Sequence, residues 1–378
     1  MRRVYLDNAA TTPIDQDISN MMFEMMKNNF ANPSSAHADG RRSKIIIEDS
    51  RNKIADLLNT NSGSIFFTSG GTESDNMAIQ CAIKDYNIRN VITSRIEHHA
   101  VLYPLQDLER QKKIKLSYVD IDDKGEISKK HLEELLNKQE KSFVSIMHAN
   151  NEIGTIQDIY FIGDLCMQHN AIFHSDTVQT IGHYPFDLQE LNVDFIAASA
   201  HKFHGPKGIG FIYISEKTTI SPFLRGGSQE RNMRAGTENI YAIAGLAMAM
   251  DIAYANLEKE KKYITSIKDY MINKFKQEMP AVNFYANCAD LDNSLYTVLS
   301  VNFPEHASSE MLLFNLDIKG ISCSGGSACA SGGSKESHVL SSILPGSKRP
   351  GIRFSFSKNN TKDDIDYTIA KLKEIYIS

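Results

Sequence analysis

Two cysteines lie in a run of small residues near the C-terminal end of the chain. The stretch "CSGGSACASGGS", residues 323–334, surrounds Cys323 and Cys329 with glycine, serine and alanine. Such residues permit many backbone conformations and make few packing contacts, so the sequence predicts a mobile loop over about residues 321–334. A thiol in such a loop can act as a nucleophile once it is ionised. The alternative is a disordered loop whose cysteines have no chemical role.

A lysine and an aspartate that could hold a carbonyl cofactor lie at the ends of two apolar runs. Lys202 lies in "FIAASAHKFHGPKGIG", after a strand-like run and before a glycine-rich turn. A lysine desolvated among polar partners is the residue that forms Schiff bases with such cofactors. Asp176 ends the run "AIFHSD", where an acidic group is the expected partner of a protonated pyridine nitrogen, as in pyridoxal phosphate. The alternatives are a surface lysine and a helix cap.

A turn suited to phosphate follows the apolar run in "SIFFTSGGTESDN". Gly71 and Thr72 come just before an apparent helix, whose positive N-terminal end lets backbone N–H groups contact an anion. An ordinary capped turn between a strand and a helix is the alternative. The stretch matches neither a Walker A loop nor a GxGxxG fingerprint, both of which would imply other ligands.

Three further groups of residues have chemistry that suits such a pocket. His98 and His99 in "SRIEHHAV" could stack on a ring and transfer protons near neutral pH, or could be surface histidines. Asn150 and Asn151 in "HANNEIGT" could donate to a ring oxygen or simply form a turn. Arg353 lies in the alternating strand "RPGIRFSFS", where either a substrate carboxylate or a buried ion pair would satisfy its guanidinium.

Length and composition restrict the class of protein. A chain of 378 residues is long enough for two domains, or for one large domain with a smaller lobe. A net charge of −5 argues against nucleic acid or an anionic membrane as the main partner. The sequence has no apolar stretch of the length of a membrane span or a signal peptide, so we expect a soluble, cytoplasmic protein. Five cysteines without a CxxC pair indicate reduced thiols rather than disulfides or a zinc site.

The apolar pattern indicates the framework that positions these residues. From about residue 60 to 215, short apolar runs alternate with amphipathic ones, which predicts an α/β fold with a mostly parallel sheet covered by helices. The strand-like runs are "SIFFTS", "NVITS", "IKLSYVD", "FVSIMH", "AIFHSD", "DFIAAS" and "GFIYIS". Ligands of such sheets bind beyond the carboxyl ends of the strands. We therefore expect the clusters "GGTESDN", "ANNEIGT", "DTVQT" and "AHKFHGPKG" to meet in one pocket.

The C-terminal part of the sequence reads as a smaller lobe. A long helical segment over about 242–278 leads to the strand candidates "YTVLSVNF" and "GIRFSFS" and to a closing amphipathic helix over 362–376. We predict a large cofactor-binding domain over residues 14–256. The small α+β domain would consist of residues 1–13 and 257–378 and would carry the cysteine loop.

Motifs along nearly the whole chain resemble, in order, those of the cysteine desulfurases of the class V aminotransferase superfamily. They are "YLDNAATTP", "NPSSAH", "TSGGTESDN", "EHHA", "HANNEIGT", "DTVQ", "SAHKFHGPKGIG", "RAGTEN", "GSACASG" and "IRFSFS". The resemblance implies a fold-type-I enzyme that depends on pyridoxal 5′-phosphate and works as a homodimer. It also implies that sulfur is taken from L-cysteine, that L-alanine is released, and that a persulfide passes the sulfur to an acceptor protein, in iron–sulfur cluster assembly or tRNA thiolation.

The resemblance also assigns a role to each candidate residue. Cys329 would be the nucleophile, Lys202 the Schiff-base lysine and His98 the residue stacked on the ring. The cofactor-binding residues would be Gly71, Thr72, His98, Asn151, Asp176, Gln179, Ser199, His201, Lys202 and, from the neighbouring subunit, Thr237. Asn32 and Arg353 would bind the substrate carboxylate. No resident metal is expected, with Cys329 a candidate transient ligand of an iron–sulfur cluster.

One departure and three alternatives accompany this interpretation. Family members with a similar loop often have serine where this chain has Cys323, which is a second thiol six residues before Cys329. The alternative functions are a selenocysteine lyase, a class V aminotransferase, and a catalytically idle sulfur-carrier or scaffold subunit. An aminotransferase needs no protein thiol, so the cysteine loop argues against it. The presence of Lys202, Asp176 and Cys329 together argues against an idle subunit.

Overall fold

The computed structural model describes residues 2–138, 141–305, 311–325, 337–346 and 349–377. Its largest sheet has seven strands, in the order β2 (Ile65–Thr68), β8 (Gly210–Ile214), β7 (Phe195–Ser199), β6 (Ile172–Asp176), β5 (Ser142–Ser145), β3 (Asn90–Thr93) and β4 (Lys115–Tyr118). The strands from β7 to β4 are parallel, and β8 runs antiparallel to both of its neighbours. Each strand overlaps one of the seven apolar runs, so the predicted mostly parallel α/β sheet is confirmed.

Helices cover both faces of this sheet, which is why most of its strands are apolar without alternation. The helices of this part are α1 (Gln16–Asn28), α2 (Ala38–Leu57), α3 (Gly71–Asp85), α4 (His99–Arg110), α5 (Lys129–Asn137), α6 (Ile159–Gln168) and α7 (Ile240–Ala255). The helices α3 and α4 share one apolar core with the sheet. The helices α2, α6 and α7 belong to the core on the opposite face.

The alternation of side chains along β6 decides which residues face α3. Ile172 belongs to the core beneath α3 and α4, whereas Phe173 belongs to the core on the other face. Because successive residues of a strand point to opposite faces, His174 and Asp176 point to the same side as Ile172. The end of β6 therefore presents Asp176 to the N-terminal part of α3.

The predicted long helix over 242–278 is two helices. It breaks at Asn256 into α7 and α8 (Leu257–Glu278), whose axes differ by 75°. α7 is apolar on nearly every side because it is packed inside the protein, whereas α8 crosses to the smaller part. In the described ranges no single helix is long and apolar enough to span a membrane; α7 and α8 reach that length and composition only as this bent pair.

The smaller part combines the two ends of the chain. An antiparallel sheet has the order β12 (Gly351–Ser355), β10 (Val298–Asn302) and β9 (Asn283–Phe284), and β1 (Val4–Tyr5) pairs in parallel with β11 (Ile321–Ser322). Its helices are α8, α9 (Leu312–Ile318), α10 (His338–Ile343) and α11 (Lys362–Ile377). Val4 and Leu6 share a core with residues of α8 and α11, so the first residues lead from this part to the large sheet. The domain boundaries at 13/14 and 256/257 stay a prediction.

Candidate active site

A cavity of about 350 Å³ lies beyond the carboxyl ends of β6 and β7. Eleven of the residues that the sequence analysis singled out line it: Gly71, Thr72, His98, His99, Asn151, Asp176, Gln179, Ser199, His201, Lys202 and Arg353. The four polar clusters therefore meet where the topology of a parallel sheet places its ligands. Sequence reasoning did not select Ala9, Ala10, Asp75, Met147, Glu152, Val178 and His338, which also line it.

Lys202 reaches the cavity from a short turn of 3₁₀ helix that directly follows β7. Its Nζ donates hydrogen bonds to the carbonyl oxygens of Ala9 at 2.6 Å and Ala10 at 3.0 Å. The Nε2 atom of Gln179 donates to the same Ala9 oxygen at 3.1 Å. The N-terminal segment thus holds the lysine amine at the wall of the cavity, among polar atoms.

Asp176 is the last residue of β6 and is buried. Its Oδ1 accepts a hydrogen bond from the backbone N–H of Val178 at 2.9 Å. Burial raises the pKa of Asp176, while that hydrogen bond and the positive charge of Lys202 act in the opposite direction. A buried carboxyl group with one free oxygen edge is suited to a cationic N–H partner such as a pyridinium.

The N-terminal end of α3 forms another wall. A Cβ atom on Gly71 would lie 2.5 Å from Cγ2 of Val178, so this position has room for glycine alone. Thr72, Ser199 and His201 lie around this helix end. Burial lowers the pKa of His201 to about 4, with Lys202 adding to the effect, so its ring is neutral. Backbone N–H groups, two hydroxyls and a neutral imidazole provide the donors that a phosphate group needs.

His98 is neutral and fixed in direction. Its Nδ1 accepts a hydrogen bond from the backbone N–H of Ala100 at 3.1 Å and so caps α4. Burial lowers the pKa of His98 to about 4, helped by the charge of Lys202. Because the ring lies at the cavity with one nitrogen already engaged, it can present a face or its other nitrogen to a bound molecule.

The two asparagines of "HANNEIGT" have separate positions. Asn150 is structural, because its Oδ1 accepts from the N–H groups of Glu152 and Ile153 and its Nδ2 donates to the Ile96 carbonyl. Asn151 lines the cavity. Asn150 therefore stabilises a turn, and Asn151 remains the candidate for a contact with a bound molecule.

Arg353 shows both features that the sequence left open. Its Nη2 atom is 2.8 Å from Oδ1 of Asp7, and its Nη1 donates to the backbone carbonyl of Asn151 at 3.0 Å. Its Nε atom is buried and has no hydrogen-bond partner among the described residues. The guanidinium is thus held by a carboxylate at one corner and retains a buried donor for a second anion.

Two predicted residues lie elsewhere in the chain, and one lies outside the described ranges. Asn32 accepts a hydrogen bond from the Ser34 N–H and lies at an exposed turn, and Thr237 is exposed; neither lines the cavity. Cys329 is outside the described residues. Cys323 packs against the core of the smaller part, and burial raises the pKa of its thiol. Cys323 is therefore a protonated thiol at neutral pH.

Residues on both sides of the cysteine loop are bonded to the cavity wall. Before it, Ser324 exchanges backbone hydrogen bonds with Arg353, and its hydroxyl donates to Asp7. After it, the Ser337 hydroxyl donates to Glu152, and Nε2 of His338 lies 2.9 Å from the Glu97 carbonyl oxygen. Chain connectivity therefore ties both ends of the loop to this site.

The cavity has the size and the groups that pyridoxal 5′-phosphate requires. Its volume falls in the range of small-molecule sites, roughly 300–1,000 Å³. A buried carboxyl group, a lysine amine and a helix N-terminus with hydroxyl donors all face the same space. In the described parts of the chain, no group of three or more His, Cys, Asp or Glu side chains is arranged to hold a metal ion.

Comparisons with known proteins give one consistent result. The profile of the family described as "Aminotransferase class-V" matches residues 4–368. The chain is 41% identical to a cysteine desulfurase IscS of Dictyoglomus turgidum, over 99% of this chain and 94% of that protein. It is 40% identical to a cysteine desulfurase IscS of Methanosarcina thermophila, over 99% and 92%. A solved NifS-like protein from Rickettsia africae superposes with a TM-score of 0.89, at 32% identity and with full coverage of both chains.

Proposed function

The chain belongs to the class-V aminotransferase family, and we propose that it is a pyridoxal 5′-phosphate-dependent cysteine desulfurase, which converts L-cysteine to L-alanine and retains the sulfur. The observation that carries the proposal is the convergence of Lys202, Asp176 and the N-terminal end of α3 on one cavity. The two ends of a loop with a cysteine at its centre are tied to the same cavity.

Different residues of the cavity wall would hold different parts of the cofactor. Thr72, Ser199 and His201 would hold its phosphate at the N-terminal end of α3. Asp176 would pair with the pyridine nitrogen, and the Lys202 amine would attach to the aldehyde carbon. His98, Asn151 and Gln179 would contact the ring. When bound, the cofactor supplies an electron sink for the bonds of the substrate α-carbon.

Substrate binding depends on the unpaired edge of Arg353. The buried Nε donor is placed for the α-carboxylate of L-cysteine, and burial makes a charged hydrogen bond there stronger than one in water. Asp7 holds the other side of the guanidinium and so fixes its plane. Arg353 therefore orients the substrate.

Sulfur leaves the substrate through a protein thiol. The thiolate of Cys329 attacks the sulfur of L-cysteine, the carbon–sulfur bond breaks, and its electron pair stays with carbon, which takes up a proton to give L-alanine. The sulfur remains on Cys329 as a persulfide. Cys329 is four residues after Gly325, a reach of about 14 Å at roughly 3.5 Å per residue. That reach begins at a residue next to Ser324, which is hydrogen-bonded to Arg353 at the cavity.

The direct test is formation of L-alanine and sulfide from L-cysteine by the cofactor-loaded protein, with and without a reductant. A thiol reductant should release the sulfur as sulfide and allow many turnovers. Without it, one alanine per active site should form in a first rapid phase. Absence of alanine from a protein that binds the cofactor would reject the proposed function.

We also propose that the protein acts as a cytoplasmic homodimer. Thr237 and Asn32 lie outside the cavity of their own chain, and a second copy would supply Thr237 to the cofactor phosphate. Large apolar side chains of the segment that contains α1 are exposed and available for such a contact, among them Phe23, Met26 and Phe30. The solution mass and the fraction of active sites in mixtures of wild type and Thr237→Ala would test this. The sulfur acceptor would be a protein of iron–sulfur cluster assembly or tRNA thiolation.

A further inference from the structure

Three carboxyl groups, not one, are buried at the end of β6. Asp176 is accompanied by Asp75 from α3 and by Glu97, which lies just before α4. Their exposed fractions are 6%, 1% and 0%. The proposed function, on which this inference rests, uses only Asp176. The other two acids have no role in holding the cofactor or the substrate.

Asp75 lies against a histidine that brings no charge. The Nε2 atom of His174 is 3.2 Å from Oδ1 of Asp75, and its Nδ1 is 2.9 Å from Oγ of Ser145. Although close, the Nε2 and Oδ1 atoms are not aligned as a hydrogen bond. Burial lowers the pKa of His174 to about 3, so the ring is neutral. His174 therefore does not compensate a negative charge on Asp75.

Glu97 is also without a compensating cation. Its Oε1 accepts hydrogen bonds from the Ser94 hydroxyl at 2.7 Å and the Met147 N–H at 3.1 Å. Its Oε2 is buried and has no partner among the described residues. Burial raises the pKa of Glu97 to about 8 although the hydrogen bonds from Met147 and Ser94 act against it, and the charge of Asp176 raises it slightly further.

The electrostatic balance then decides which acid is ionised. Burial raises the pKa of Asp75, and Asp176 and Glu97 raise it further. Three ionisable groups lie close to one or another of these acids: His174 is 3.2 Å from Asp75, the charge of Lys202 acts on Asp176, and His98 directly follows Glu97 in the sequence. The two histidines are neutral. Lys202 lowers the pKa of Asp176.

We propose that Asp75 and Glu97 are positioning residues that stay protonated, so that Asp176 is the one carboxylate presented to the cofactor's pyridine nitrogen. Like charges in a buried site cannot all ionise together. If Asp75 ionised instead, Asp176 would take up a proton and would lose the negative charge that a pyridinium requires. Two neutral neighbours keep that charge on Asp176.

Infrared spectroscopy of the cofactor-loaded protein at pH 7 tests the assignment, because a protonated carboxyl group has its own carbonyl stretch. The expected result is that Asp75→Asn removes one such band and Glu97→Gln removes another. Growth with carboxyl-¹³C aspartate should shift only the first of these, and labelled glutamate only the second. The exposed Asp39, changed to Asn, is the matched control and should alter neither.

An unchanged band in Asp75→Asn or in Glu97→Gln would overturn the proposal. If Asp75→Asn does not fold, Asp75→Glu keeps the acid, and its band should then respond to labelled glutamate rather than labelled aspartate. Alanine formation from L-cysteine by the same wild-type preparation tests the proposed function separately, since an active enzyme with both acids ionised would refute this inference alone.

Discussion

Substitutions of Arg353 and of its ion-pair partner Asp7 are expected to have opposite effects on the preference for a substrate with a free carboxylate. Arg353→Lys removes the buried Nε donor and the planar guanidinium, whereas Asp7→Asn removes the carboxylate that competes for it. A hydrogen bond to a charged group contributes about 1.5–3 kcal/mol. At about 1.4 kcal/mol per tenfold, Arg353→Lys should lower kcat/KM for L-cysteine by a factor of roughly 10 to 150.

The discriminating substrate is L-cysteine methyl ester, which lacks the carboxylate charge. Wild type should prefer L-cysteine over the ester by a factor similar to that loss, and Arg353→Lys should lose most of the preference. Asp7→Asn should keep or increase the preference, because the guanidinium then has fewer competing partners. The measurement is the ratio of kcat/KM for the two substrates, which cancels general losses of folded or loaded enzyme.

Equal losses for L-cysteine and its ester in Arg353→Lys would refute the reasoning. That outcome would mean that Arg353 serves only to join the smaller part to Asp7 and the Asn151 carbonyl. Thermal unfolding of both variants provides the control, since each breaks the same ion pair and should lower the melting temperature similarly.

Three other experiments test the site. Lys202→Ala should prevent borohydride from fixing the cofactor to the protein, whereas Asp176→Asn should keep the cofactor and lose most turnover; an unchanged reducible adduct in the first would contradict the lysine assignment. After exposure to L-cysteine, mass spectrometry should find the added sulfur on Cys329, and Cys323→Ser, which removes a partly buried protonated thiol, should retain at least part of the turnover. Glu97, with a pKa raised to about 8, keeps its proton in the folded state above pH 4.5, where the unfolded chain has released it. The free energy of unfolding should therefore fall as pH rises from about 4.5 to about 8, and Glu97→Gln should remove this part of the slope in denaturant titrations.

The large sheet and most of the cavity wall could be predicted from the sequence because both depend on local patterns. Apolar runs mark the strands, and the small and polar residues after them mark the strand ends where ligands bind. Gly71 and Lys202 are recognisable for this reason. Their partners across the sheet follow from the parallel topology rather than from any single motif.

Contacts between distant parts of the sequence could not be read in this way. Asp7 and Arg353 are 346 residues apart, and nothing in "YLDNAATTP" marks its aspartate as the partner of an arginine in another strand. The break at Asn256 was also missed, because the amphipathic pattern of α8 begins directly after α7 without a proline or glycine. Both features depend on tertiary packing.

The buried acids show a different limit of sequence reasoning. Asp75 follows a helix start, where acidic residues normally complement the helix dipole at the surface, and Glu97 precedes two histidines in a polar stretch. Acidic side chains in such sequence contexts are usually exposed to solvent. Only the packing of α3 and α4 against the end of β6 places them beside Asp176 and turns ordinary acids into protonated ones.

Substrate binding and the cysteine loop are connected through Asp7. This carboxylate pairs with Arg353 of β12 and accepts a hydrogen bond from the Ser324 hydroxyl. Ser324 lies two residues after β11, at the start of the loop, and exchanges backbone hydrogen bonds with Arg353. In the proposed function, a substrate carboxylate bonded to the unpaired Nε of Arg353 would join the same network of contacts that fixes the start of the loop. Ser324 and Ser337, which precede and follow Cys329 in the sequence, are both bonded to the cavity wall, so in the proposed reaction Cys329 would meet its substrate at an effective concentration that a free thiol could not reach.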